Sequence, residues 1–425
     1  MQDWAGWLLM LFSFSIVLMW KHVRSDTKVV RAIWLCIVLH HAMAFLNVYV
    51  SYDTVGYDTM AYLPDAATYH ANGVVLAALP ELEWKFSVDD KTTTYIHLLG
   101  FFYHSFGASL IFGEELSVLA FILSCVVLVK LADLLDLRRF RIGIILFFGL
   151  LPTAVIFRTV TLREPWQALF FLLFVYWTIR LWKQPGILNV SFILMSAFCL
   201  AALHAALMYY TVYLIVFSVY WVVYCHKKKS RWGKCVRLLF AVLLIASVIL
   251  LTQMMGWLVT VGQALEGIDD FRRAAATVQG RTTYGTMLDA SSVLGAVKTI
   301  PMIFVQYMFA PFPWQAESVS DFHVVLETTL RFLLLFFALS SWRRSSGEVR
   351  SYYGFLLIAV LGIELMWALG TVNWGTAIRH HVPGYGVIVL LGTPRLILFM
   401  RELQFVIFAR VKVSGEFNKQ VHHMS

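Results

Sequence analysis

Charged side chains are sparse in this 425-residue chain: Asp, Glu, Lys and Arg together make up 14% of it. A water-soluble domain carries about 25%, so too little charge remains here to clothe a soluble surface. Cysteine is also scarce. The five residues (Cys36, Cys125, Cys199, Cys225 and Cys235) fall in apolar runs or at their ends, with no metal-ligand spacing and none in the long loops, which excludes a disulfide framework. No Gly-rich phosphate loop, no dinucleotide fingerprint and no Asp-x-Asp pair occurs, which disfavours soluble nucleotide-sugar chemistry. Repeated halves, the mark of many transporters, are missing too. The start, MQDWAGWLL, has no basic region and no small-residue cleavage site after it, so it reads as a retained first helix rather than a signal peptide.

What is present is apolar: 60% of residues are hydrophobic and 16% aromatic. Runs near the ~20 residues that cross a bilayer core recur from end to end. They predict about eleven spanning helices over 4–20, 30–50, 115–132, 142–158, 166–182, 187–203, 205–224, 236–257, 322–341, 353–371 and 384–400. The expected fold is an all-α membrane protein, one polytopic domain over residues 1–425, with the N-terminus outside and the C-terminus cytoplasmic.

Lys and Arg set that orientation. KHVRSDTK, LRRFR, RLWK, HKKKSRWGK, SWRR and the C-terminal tail all fall on one side, which the positive-inside rule makes cytoplasmic. Outside remain Lys85, Lys91, Arg158, Arg163, Arg272, Arg273, Arg281, Lys298 and Arg379, with Arg331 inside a helix. This explains the net charge of +9 without nucleic acid. The stretches near 93–111 and 293–312, interrupted by His97 and His104 or by Lys298 and Pro301, read as interfacial or re-entrant segments. They belong to two long extracytoplasmic loops, about 51–114 and 258–321; loops of such length are usually functional.

Four loop elements carry candidate chemistry. The first alternates Asp53, Asp58 and Asp65 with Tyr52, Tyr57, Tyr62 and Tyr69, and places His70 beside them. Carboxylates accept protons or hydroxyl hydrogen bonds while rings cover apolar sugar faces. Asp65 also fits the N-cap of a helix beginning in PDAATYH. In VTLREPWQAL, Arg163 and Glu164 precede a helix that Pro165 opens, and they suit either capping or phosphate binding. FRRAAATVQGRTTYGT lacks an apolar period, so Arg272, Arg273 and Arg281 read as an anion-binding loop. In NWGTAIRHHVPGYG, Arg379 can hold phosphate while His380 or His381 takes a proton; one of the two His is expected at the interface. Within the apolar runs, Glu327, Arg331 and Glu364 read as a mutually neutralising structural group at one depth or as the floor of a lipid-phosphate cavity.

PDAATYH, LREPW, PFPW and GTAIRHH, set in a many-helix body, resemble membrane proteins of bacterial surface-polysaccharide clusters, including O-antigen polymerases; the topology is similar to GT-C-class glycosyltransferases. The resemblance implies transfer of a sugar from a polyprenyl-(pyro)phosphate carrier to an acceptor at the extracytoplasmic face of a bacterial inner membrane. Partners would be the lipid-linked glycan, membrane lipids and polysaccharide assembly proteins; no cofactor and no metal is implied. Asp65 or His380 would be the base, with Asp58, Tyr69, His70, Arg163, Glu164, Arg272, Arg273, Arg281, Arg379 and His381 binding substrate. A repeat-unit polymerase, a lipid-oligosaccharide flippase and a non-catalytic scaffold are the alternatives. The chain departs from the GT-C pattern in placing its acidic loop after the second helix instead of the first.

Overall fold

The computed structural model describes residues 3–51, 64–80, 93–224, 242, 261–277 and 282–422, and all of its regular secondary structure is helical. The first described pair is α1 (Trp4–Leu18) and α2 (Thr27–Phe45), the latter running on as a π-helical segment, Leu46–Ser51. A hairpin of α3 (Pro64–Ala77) and α4 (Thr93–Phe106) precedes α5 (Leu110–Leu134). Then come α6 (Arg141–Gly149), α7 (Pro152–Arg158), α8 (Glu164–Lys183), α9 (Ile187–Ala202) and α10 (Ala205–Tyr224). The last group is α11 (Val261–Thr277), α12 (Val293–Phe309), α13 (Val319–Arg344), α14 (Gly347–Gly370), α15 (Trp374–His380) and α16 (Val382–His422).

Among the described residues five stretches are long and apolar enough to cross a membrane: Thr27–Val50, Leu110–Leu134, Asp321–Arg344, Gly347–Gly370 and Val382–Phe405. A sixth arises if α6 and α7 count as one broken span. Burial separates the centre from the rim. Leu110–Leu134 and Val382–Phe405 are 83% and 78% buried in protein, whereas Asp321–Arg344 is 39% buried. A helix that is apolar all round belongs in the centre. α5 fits that description, burying Phe121, Val127 and Leu128 on successive faces. α13 meets α16 so closely at Gly392 that a Cβ there would collide with the Leu334 carbonyl.

Four expectations need correction. The run 142–158 is not one helix: α6 ends at Gly149, Pro152 opens α7, and the two are bent by 71°. Proline lacks the N–H an interior position would donate but suits a first turn. In the first long loop the described residues form a helical hairpin, as the helix start in PDAATYH and the segment near 93–111 led one to expect, but α5 begins at Leu110 and not at 115, so Glu114 and Glu115 are buried helix residues. Arg272 and Arg273 lie on α11 and not in an irregular loop. Arg272 fills a slot facing the bundle beside Leu265 and Ile268, and a cation at that slot hides the helical period. Finally, Glu327, Arg331 and Glu364 form no direct ion pair with one another among the described residues, although both carboxylates act on the Arg331 charge; each has its own hydrogen-bond partner, given below. The segment 236–257 apart from residue 242, the basic run HKKKSRWGK and the residues Lys85 and Lys91 lie outside the described residues.

Candidate functional site

Three segments far apart in sequence meet where α3, α8 and α15 begin or end. α3 starts at Pro64, so Asp65 sits in its first turn instead of capping it. Its carboxylate accepts a 2.5 Å bond from Arg379 Nη1 of α15, and the Asp65 side chain remains 44% exposed. Glu164, the first residue of α8 and fully buried, approaches Arg379 Nε at 3.2 Å from the opposite side. Arg379 thus bridges an accessible carboxylate and a hidden one. Burial works against its charge, but Glu164 and Asp65 outweigh that and raise its pKa above the ordinary arginine value.

Aromatic residues floor this junction. The Arg163 guanidinium lies 5.6 Å from the Tyr69 ring centre, and Tyr69 meets Tyr95 edge-on at 5.2 Å. Burial pushes the Tyr69 hydroxyl up to about 12, with Arg163 opposing. His70 receives or donates a 2.9 Å bond with the Tyr103 hydroxyl, and burial lowers its pKa. A cluster including Tyr69, Tyr95, Tyr103, Phe112, Leu162 and Leu203 anchors the hairpin to α5 and to the turn before α8.

Arg379, His380 and His381 are consecutive yet face three environments. His380 stacks on Trp367 at 4.1 Å and hydrogen-bonds Thr371 through Nδ1 at 2.8 Å. Burial first, then Arg379, holds its pKa well below the usual histidine value. His381 faces Glu364 through Nδ1 at 2.5 Å and the Tyr307 carbonyl through Nε2 at 3.2 Å. Both imidazoles are buried in the protein. Of the two candidate bases, only Asp65 is accessible.

The remaining candidates stand apart from this junction. Arg272 is fully buried and donates to the carbonyls of Ala368, Leu369, Thr371 and Thr286, so it caps the end of α14. Arg273, itself exposed, pairs at 2.7 Å with the buried Asp269 of the same helix. Asp58, Arg281, Asp53, Tyr52, Tyr57 and Tyr62 lie outside the described residues. Among the described residues no group of three His, Cys, Asp or Glu side chains gathers to hold a metal.

A second polar site lies beside the break between α6 and α7. Arg158 Nη1 donates to the Phe148 carbonyl at 2.5 Å, at the C-terminal end of α6. Glu327 of α13 accepts from the Thr153 backbone N–H at 2.9 Å, at the N-terminal end of α7, and from the Thr153 hydroxyl. Each charge thus faces the helix end of opposite polarity. Arg331 donates to Thr328 Oγ1 at 3.0 Å. The sequence reading missed Thr153, Tyr385 and Tyr307 here; Leu-Pro-Thr at 151–153 was the available signal of a helix restart.

No protein-family model, curated protein or solved structure matches this chain.

Proposed function

We propose that the chain is a membrane glycosyltransferase that moves a sugar or oligosaccharide from a polyprenyl-(pyro)phosphate carrier to an acceptor hydroxyl. It would work at the extracytoplasmic face of a bacterial inner membrane, in surface polysaccharide synthesis. The observation that carries this reading is the half-exposed Asp65 carboxylate, oriented by Arg379, which is itself held by buried Glu164. A carboxylate so fixed suits a general base. Asp65 would take the proton of the acceptor hydroxyl as its oxygen bonds to the anomeric carbon. The bond from that carbon to the carrier phosphate breaks, and the phosphate leaves with the electron pair. Arg379, already bound by two carboxylates, positions the base; Arg163 and the Tyr69 ring, both buried, pack against each other at the same junction.

In the topology we propose, the five long spans and the bent α6–α7 pair are joined by α1, α8, α9 and α10 and by the apolar stretch 236–257, making eleven crossings. The basic connections at Arg138–Arg139 and Arg343–Arg344 then lie in the cytoplasm and the Asp65 junction outside. If the acceptor is a growing glycan, the same chemistry makes the protein a repeat-unit polymerase.

The decisive assay uses purified protein in nanodiscs with a lipid-linked sugar donor. Asp65→Asn should fold normally and lose at least ~100-fold in rate, the usual contribution of a general base. Full turnover by that variant would refute the assignment. One observation favours a flippase as second reading: the 71° break in a span flanked by charged residues, as at transporter sites. Translocation of the lipid-linked sugar without any transfer would support it instead.

A further inference from the structure

Among α1, α2 and α5 lies a buried polar cluster that the Asp65 chemistry does not use. Glu114 and Glu115, adjacent on α5, are both fully buried. His41 of α2 places Nδ1 2.9 Å from the Glu115 carboxylate, and its Nε2 lies 2.8 Å from the Ser13 hydroxyl of α1. Glu114 faces Glu115 and the Asn47 amide, and among the described residues no cation comes within ion-pair distance of it. The other titratable neighbours are His40 of α2, on which Arg158 of α7 acts, and Tyr95 of α4, on which Glu164 of α8 acts.

Ionised side chains are costly at membrane depth. Two neighbouring carboxylates that share one imidazole repel when both are ionised, and a proton added to the group relieves that repulsion. Such protons belong to the unit and not to one residue, so the cluster exchanges them whichever atom carries each one. Ser–His–Glu is also the order of a nucleophilic triad. Ser13, however, lies within α1, and its hydroxyl is 2.6 Å from the Met10 carbonyl one turn back. The helix leaves no free N–H beside it to hold an oxyanion.

A polar path leads out of the cluster on one side. The Tyr103 and Thr161 hydroxyls both press on α5 at Gly113, next to Glu114, where a Cβ would collide with each. Burial, and then the Glu114 charge, raise the pKa of the Tyr103 hydroxyl. The same hydroxyl is 2.9 Å from Nδ1 of half-buried His70, which shares α3 with Asp65. Past Ser13, toward the other end of α1, the packing is apolar: Ile16, Val17, Ile33 and Ile37 are buried there. Hydroxyl and imidazole groups both give and accept protons, whereas aliphatic side chains do neither.

We propose that Glu114, Glu115 and His41 form a proton-binding site within the membrane, loaded and emptied through Tyr103 and His70 from the face that carries Asp65. The step is a bare proton transfer: a hydronium ion at His70 gives up a proton, the cluster gains it, and no other bond changes. The site is independent of the transfer reaction, since the half-exposed Asp65 meets water directly.

The test is infrared spectroscopy of the full chain in nanodiscs, reading the carbonyl band of protonated carboxyl groups. Stepping the pH between about 5 and about 9 should change that band, and Glu114→Gln or Glu115→Gln should reduce the change. In heavy water the same band shifts as the proton is replaced by deuterium. Tyr103→Phe, which keeps the ring, should slow that shift several-fold, whereas Ser13→Ala, at the far end, should leave its rate unaltered. If neither glutamine variant folds, these two exchange rates decide alone. A band indifferent to pH, a response undiminished in both glutamine variants, exchange as fast in Tyr103→Phe as in the parent chain, or slowing by Ser13→Ala would each overturn the proposal.

Discussion

At the scale of single residues, Arg379 holds two carboxylates at once, which its loop motif did not reveal. Removing it by Arg379→Ala leaves Glu164 as a buried, unpaired carboxylate, and loss of one partner from a buried pair typically costs about 3 kcal/mol or more. Thermal unfolding in detergent should show that loss, and the double change Arg379→Ala with Glu164→Ala should recover part of it. Asp65→Asn, by contrast, removes a partner from an accessible pair and should cost less than about 1 kcal/mol. Stability and turnover would therefore separate at this site: Arg379 moves both, Asp65 only turnover.

His380 gives a pH signature at the same scale. Its folded-state pKa lies well below the ordinary 6.5. Above that value the imidazole is neutral in both folded and unfolded chains and contributes nothing to the difference. Below it the unfolded chain takes up a proton that the folded chain refuses, so stability falls as pH drops, by at most about 1.4 kcal/mol per pH unit, until the folded-state value is reached. Melting curves at about pH 7.5 and about pH 5.5 should show a smaller acid loss in His380→Gln than in the parent chain.

At the scale of elements, the ends of helices decide which charges are structural. Arg272 closes the last turn of α14 by donating to Ala368, Leu369 and Thr371, and reaches Thr286 with its other nitrogen. Arg272→Ala should cost about 2–3 kcal/mol through four carbonyls losing a charged donor, while Arg273→Ala, which removes a solvent-exposed guanidinium from a single carboxylate, should cost less than that. Equal effects of the two in a denaturation series would contradict this division. The close approach of α14 to the start of α16 depends on Gly384, since a Cβ there would strike Glu364 Oε1. Gly384→Ala should therefore disturb the His381–Glu364 pair without touching Asp65, a loss of stability with no loss of per-molecule base chemistry.

These elements also show how far the sequence could be read. Pro165 and Glu164 correctly marked the start of α8, because proline at the first turn and an acid at the N-terminus are local requirements. The restart at Pro152 carried the same kind of signal, but the long apolar run around it masked a 71° bend that depends on Arg158 and Glu327 arriving from elsewhere. α11 was illegible for a different reason: a buried arginine stood where the apolar period called for a hydrophobic side chain.

For the whole molecule, orientation is the property to test. The proposed topology places Trp314, 80% exposed, outside and Arg139 inside. Single cysteines at these two positions, in a chain cleared of its own five, should label with a membrane-impermeant maleimide in intact cells at 314 and only after permeabilisation at 139. Labelling in the reverse order would move the Asp65 junction to the cytoplasm and end the proposed extracytoplasmic chemistry.

The sequence by itself determined that this is a helical, membrane-type chain, because apolar composition and run length act locally and survive any arrangement of the helices. It also marked Asp65, Glu164 and Arg379 as residues out of place in such a chain. Only the tertiary structure decided that these three meet, that His380 and His381 are buried, and that Arg272 serves a helix end. The physical reason is that a charge in a low-dielectric interior takes its role from its partner. Partners separated by 314 positions, as Asp65 and Arg379 are, leave no trace in local spacing.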